Sequence, residues 1–147
     1  MQTAAFCSIV ANLETRGNQK IRCIIQEPGF TDIDKQVCRE LGFKVAESPD
    51  AFSLVDADTL LFGIHIELPT YSEALRTLPG MFIGTGLDSW EKLMDYDPEA
   101  PEIASIRTMH DTYDKYPFPD FNYMFYGTSI YSRRCDEQKP GPNGAAP

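Results

Sequence analysis

Few side chains in this sequence have both the type and the spacing to do chemistry. Glu27 stands in a Glu27-Pro28-Gly29 turn behind an apolar run, His65 follows a second apolar run, and Gly84-Thr85-Gly86 follows a third. In doubly wound α/β folds, ligands sit at the carboxyl ends of the strands. There Glu27 is placed to accept a ribose hydroxyl, and His65 to act as a general base or ligand contact. Gly84 and Gly86 are placed to line the same cleft with exposed backbone N–H groups. The set is incomplete. No Ser, Cys or Asp is placed to form a relay with His65. A lone G-x-G also makes an ordinary strand-to-helix turn, and Glu27 also suits the N-terminus of the next helix through the helix dipole. These residues therefore read first as structural, and neither a catalytic set nor a cofactor is identified.

Cys7, Cys23, Cys38 and Cys135 contain no C-x-x-C pair, and His65 and His110 are isolated. A zinc site needs such ligands at tight spacing, so no metal is expected. Free cysteines behave as small buried hydrophobes, and core packing is the expectation for them. Asp32, Asp34, Asp56 and Asp58 lack the spacing of a Ca²⁺ loop and read as caps and turns. Tyr116, Phe118, Phe121, Tyr123, Phe125 and Tyr126 form a dense aromatic group. It reads first as packing around a final strand. The alternative is a partner surface at Phe118, Phe121 and Tyr123, because aromatic anchors dominate interface hot spots.

The chain has 147 residues, 42% of them hydrophobic, enough for one domain with a real core. Its formal net charge is -9, which repels phosphate backbones and anionic membrane surfaces. No nucleic acid and no membrane is expected as a partner. No apolar stretch reaches the ~18 residues of a membrane span. The first apolar run lacks a preceding Lys or Arg and a small-residue cleavage site, so it does not read as a signal peptide. The expected compartment is the cytoplasm, with the nucleus as a second one.

The elements that must position these residues alternate. Residues 1–15 are apolar nearly all round and predict a helix buried on more than one side, with Gly17 as its stop. Residues 20–26 predict a strand. Thr31 and Asp34 make a capping box for a helix whose apolar face is Ile33, Val37, Cys38 and Leu41. Residues 43–46 predict a short strand, and residues 60–64 a strand covered on both faces. Pro69 opens a helix carrying Tyr71, Leu75 and Leu78. Residues 81–83 predict another buried strand. Trp90, Leu93 and Met94 predict a short helix. Ile103, Ile106, Met109 or His110, and Tyr113 recur at helical spacing until Pro117 and Pro119 stop them. Residues 123–132 predict a final strand that closes an edge. Such alternation implies an α/β fold with a mostly parallel sheet and flanking helices in Rossmann-like three-layer order. The expected domain is 1–134, with a disordered, Gly- and Pro-rich tail at 135–147.

Four patches taken together resemble one family. They are Gln26-Glu27-Pro28-Gly29-Phe30-Thr31-Asp32-Ile33-Asp34, then Leu41-Gly42-Phe43-Lys44-Val45, then Val55-Asp56-Ala57-Asp58-Thr59-Leu60-Leu61-Phe62 followed by His65. The fourth runs from Asp97-Pro98 and Pro101 through Tyr113-Asp114 and Phe118-Pro119 to Ile130-Tyr131-Ser132-Arg133. In order and spacing the chain is similar to the domain named for sensitivity to red light reduced, in the form found in many fungal proteins, over roughly residues 1–134. Glu27 stands where the family usually has Asp. Only His65 matches the Met-Pro-His-Cys run that often follows the third patch.

The resemblance implies a regulatory protein and carries no catalytic residue set. The expected function is therefore a non-enzymatic intracellular regulatory or protein-interaction module. Its alternative is a Rossmann-like enzyme that binds a nucleotide- or S-adenosylmethionine-type ligand through Glu27, His65, Gly84 and Gly86. Relatives usually carry a strand and a Gly-rich turn before the first helix, and this chain starts inside that helix. The resemblance thus implies a sheet incomplete at the N-terminus, with two neighbouring edges left unpaired. The sheet must close up, borrow a strand or stay weak, and low stability, self-association or a protein partner is expected.

Overall fold

A computed structural model of the chain describes residues 2–92, 97 and 99–134. In chain order the elements are α1 (Gln2–Gly17), β1 (Ile24–Ile25), α2 (Asp32–Glu40), β2 (Lys44–Val45), a 3₁₀ turn (Asp50–Leu54), β3 (Leu60–Gly63), α3 (Leu68–Ala74), β4 (Met81–Thr85) and α4 (Leu87–Trp90). A second 3₁₀ turn (Pro101–Ile103) runs into α5 (Ala104–Thr112), followed by β5 (Tyr113–Pro117) and β6 (Thr128–Arg133). Leu93 and Met94, and the tail expected at 135–147, lie outside the described residues.

The fold is α/β, but its strands form two sheets. One is the parallel pair β1-β2, and the other has the order β3-β4-β6-β5. The expected mostly parallel sheet is corrected to a mixed one. β3 and β4 are parallel, whereas β6 is antiparallel to both β4 and β5. The reason lies in residues 113–133. Tyr113 fits the helical spacing of Ile106 and Met109, yet its backbone is extended and its hydroxyl donates to Pro79 O at 2.6 Å. The chain therefore leaves α5 there as β5, and its short return as β6 is necessarily antiparallel. β6 begins at Thr128, not near Tyr123, and lies between two strands instead of at an edge.

The larger sheet is covered on both faces, and side-chain alternation shows how. Leu61, Phe82 and Tyr131 point to one side, where Tyr71, Leu75, Leu87, Ile103, Ile106 and Met109 complete a core of almost fully buried side chains. Phe82 and Tyr131 are register partners with stacked rings 6.1 Å apart, and Tyr71 meets Phe82 edge-on at 5.6 Å. The opposite face carries Leu60, Phe62, Ile83 and Ile130, packed with Ala5 and Ile9 of α1 and with Phe118 and Phe125. The Tyr71 hydroxyl fills a gap at the ends of β3 and β4: it donates to Gly63 O at 2.6 Å and accepts from Thr85 N at 3.0 Å. Burial raises its pKa, so it stays a donor.

The N-terminal third is packed differently. The capping box of α2 forms as expected, with Asp34 N donating to Thr31 Oγ1 and Thr31 N to Asp34 Oδ2 at 2.9 Å. Gly42 takes φ +89 past the helix end, the left-handed turn that glycine adopts without strain. The expected inward face of α2 is corrected: Cys38 is buried, but Ile33, Val37 and Leu41 are exposed, Ile33 at 75%. Nothing among the described residues covers them, because the β1-β2 pair is too narrow to span the helix. Nor is α1 buried on more than one side. It contains no buried residue, since it rests against the edge of the larger sheet and over open space. Cys7 and Cys23 are likewise only half-buried.

Candidate functional site

The main concavity is an open groove of about 1170 Å³ between the two sheets. β1 and the residues flanking it form one wall, β3 and its flanks the other, and α1 overhangs the space through Thr3, Phe6, Val10 and Leu13. Those four positions recur at intervals of three and four, one stripe of a helix. Phe6 holds α1 in place by stacking on Phe43 at 5.8 Å and leaning on Phe62 at 5.4 Å. Glu14 ties the other end: its carboxylate accepts from Ile21 N at 2.8 Å and pairs with Lys20 at 3.0 Å. The Ile21 N–H and then Lys20 hold that carboxyl below its ordinary pKa range.

Both groove walls are open strand edges. β1 is hydrogen-bonded only to β2, and β3 only to β4. Cys23 O and Ile25 O accept from Lys44 N and Ala46 N at 2.9 Å, so the odd-numbered residues of that wall face β2. Thr59 O accepts from Met81 N at 3.1 Å, so the odd-numbered residues around β3 face β4. Backbone groups of alternate residues point to opposite edges of a strand. Those of Ile24, Leu60 and Phe62 therefore face the groove.

Glu27 and His65 meet at this groove, at the carboxyl ends of β1 and β3. Glu27 Oε1 already accepts from Gly29 N at 3.0 Å within its own turn. His65 sits at φ +54, and its Nε2 lies 2.9 Å from Tyr126 O. A carbonyl only accepts, so Nε2 carries the hydrogen in that contact. The bond fastens the end of β3 to the aromatic loop and goes to no nucleophile or carboxylate, so no relay is built.

Gly84 and Gly86 do not join them. A Cβ at Gly84 would lie 2.6 Å from Gly63 O, and one at Gly86 2.5 Å from Ser129 Oγ. These glycines allow close packing between strands. The helix that follows them, α4, has only four residues, too few for a useful dipole or row of free N–H groups. Among the described residues no cluster of three or more His, Cys, Asp and Glu could hold a metal.

The aromatic group divides. Phe118 packs on buried Phe125 at 5.0 Å, whereas Phe121 and Tyr123 are 74% and 82% exposed. Tyr116 and Tyr126 are also exposed. A second polar cluster lies at the far side of the sheet, where Lys115 bonds Asp88 and Tyr131 Oη accepts from Leu87 N at 3.1 Å. Lys115 first, with His110 and Lys92 further off, holds the Asp88 carboxyl below its ordinary range. The Tyr131 hydroxyl is pushed up by burial, so the cluster contains no activated nucleophile.

The groove walls escaped the reading of chemistry-bearing residues because they are backbone and aliphatic side chains. The one signal available was the three-four spacing of Phe6, Val10 and Leu13, which fits a buried helix equally well. In comparisons with known proteins, no curated protein and no solved structure matches the chain. The family model of the SRR1 domain matches residues 1–132. That span contains both groove walls, α1 and the whole mixed sheet, and the chain thus belongs to the SRR1 domain family.

Proposed function

We propose that this SRR1-domain chain is a non-enzymatic regulatory module of the cytoplasm or nucleus, and that its groove between β1 and β3 receives protein instead of a nucleotide. The observation that carries this reading is the groove's construction: two open strand edges and an apolar helix stripe, with no phosphate cradle. The groove also exceeds the ~300–1,000 Å³ of ordinary small-molecule pockets. With the gap filled, the strands would run β2-β1, then the inserted segment, then β3-β4-β6-β5. That is the Rossmann-like layering to which the alternation of helices and strands points.

The competing reading is a cleft for a nucleotide- or S-adenosylmethionine-type ligand at Glu27 and His65. Thermal unfolding of the full chain with nucleotides, S-adenosylmethionine and nicotinamide cofactors separates the two. A ligand at 100 times its Kd stabilises by about 2.7 kcal/mol, which is about 5–10 °C for a domain of this size. No shift is expected. A reproducible rise that disappears in Glu27→Ala would replace the module reading with the ligand cleft.

A further inference from the structure

The geometry points to strand addition: the groove takes up one short, extended, uncharged segment of a partner protein, which pairs with β1 and β3 together. This inference rests on the interaction reading above and names the partner's chemistry.

Three observations converge on that occupant. The first is the backbone. Ile24 on one wall and Leu60 and Phe62 on the other present main-chain groups to the groove, and β1 and β3 each have a single strand neighbour. Open main-chain edges are satisfied by another strand, and recognition by strand addition draws its affinity from those bonds. The two walls also begin at the same end of the groove. The Asp56 carboxyl, just before β3, is held down by the Thr59 hydroxyl, by the Asp58 N–H and in part by Arg22, just before β1. One inserted strand can therefore run along both walls.

The second observation is α1, sixteen residues long with none buried, although Phe6, Val10 and Leu13 face the groove. An inserted strand would bury this stripe from below. The third is where charge lies. Lys20, Arg22, Asp56 and Asp58 stand at the starts of the walls, and Glu27 and His65 at their ends. The middle is lined by Ile24, Leu60, Phe62, Phe6 and Val10. A fitting segment has about five residues, the usual strand length, without charge at its centre.

A second copy of this chain does not supply such a segment. Besides the groove walls themselves, β5 is an open edge of the larger sheet, and it carries Asp114, Lys115 and Pro117. Two charges and a proline, which cannot donate, make it a poor fit to an apolar slot.

The test fuses the probe Val-Thr-Val-Ile-Val to the N-terminus of the full chain through a flexible Gly-Ser linker. Gln2 and Thr3 line the groove, so the tether begins beside it. Tethering makes even weak pairing readable through effective concentration. The expected result is that the amides of Ile24, Leu60 and Phe62 exchange hydrogen roughly 100-fold more slowly than in the unfused chain. The unfolding midpoint should rise with them. A Ser-Gly-Ser-Gly-Ser probe of equal length should do neither. Val10→Asp in the fused chain should remove the protection while Phe82 and Ile83 amides stay protected, which reports that the larger sheet remains folded.

Unchanged exchange at the three amides, or equal protection by the Ser-Gly probe, would overturn strand addition. So would protection that survives Val10→Asp, because the segment would then not lie under α1. A dimeric unfused chain in sedimentation, with these amides already protected, would assign the groove to a second copy and overturn the partner. A nucleotide shift in the unfused chain defeats the module reading, whereas failed protection with no nucleotide shift defeats strand addition alone.

Discussion

Residues 55–133 and residues 2–54 are built from similar sequence material and packed to different degrees. Among residues 2–54 only Cys38 and Phe43 are buried. The largest fully buried side chains, Tyr71, Tyr131, Phe82, Leu75, Ile103, Ile106, Met109 and Pro79, all belong to the other region. Apolar content does not make the difference, since α1 and α2 carry Phe6, Ile9, Val10, Leu13, Ile33 and Val37. What differs is the number of strands beneath the helices. Four strands give α3, α4 and α5 a continuous surface to cover, whereas two leave α2 overhanging solvent and α1 overhanging the groove. Hydrophobic stabilisation follows area removed from water, so the same residue types contribute less there.

The contrast is tested most strongly by one substitution made in both regions. Phe82→Ala should cost about 3–5 kcal/mol, the usual cost of emptying a fully buried phenylalanine site. Phe6→Ala, at a half-buried ring, should cost roughly 1–2 kcal/mol. Urea unfolding of both variants measures this, and equal losses would mean that α1 belongs to the main core after all.

Tyr71→Phe probes the join between β3 and β4. It should cost about 1–3 kcal/mol, because Gly63 O and Thr85 N lose their shared hydroxyl partner inside the core. Unfolding by urea reads this too, and a neutral result would mean that water replaces the hydroxyl.

A smaller effect is expected in the open region. Thr31→Ala removes the α2 cap, typically about 1 kcal/mol. It should also change the acid response. The Thr31 hydroxyl, then its N–H, holds the Asp34 carboxyl below its ordinary range. A depressed folded pKa contributes stability above the unfolded value, about 3.9, and loses it as pH falls through the folded value. Acid should therefore loosen α2 in the parent chain, and part of that sensitivity should vanish in Thr31→Ala. Helix content followed by circular dichroism from pH 6 to pH 2 would show it, and identical profiles would exclude the cap as its source.

Local chemistry was legible from residue types alone wherever the partner is a few residues away. The Thr31-Asp34 box, the Gly42 turn and the start of α3 near Pro69 all depend on neighbours in the chain, and all form where expected. Buried strands were legible for the same reason: a short wholly apolar run such as Leu60-Leu61-Phe62 needs cover on both faces. The family signal lies in such segments. Pairing was not legible. Tyr113 satisfies a helical period and a strand edge equally well, and its long-range bond to Pro79 O selects the strand. Burial at Ile33 and Val37, the packing role of Gly84 and Gly86, and the meeting of Glu27 with His65 depend likewise on elements distant in the chain. Periodicity shows which residues share a face. Whether another surface reaches that face is settled by how many strands pair and in which order, and here their division into two sheets left the groove open.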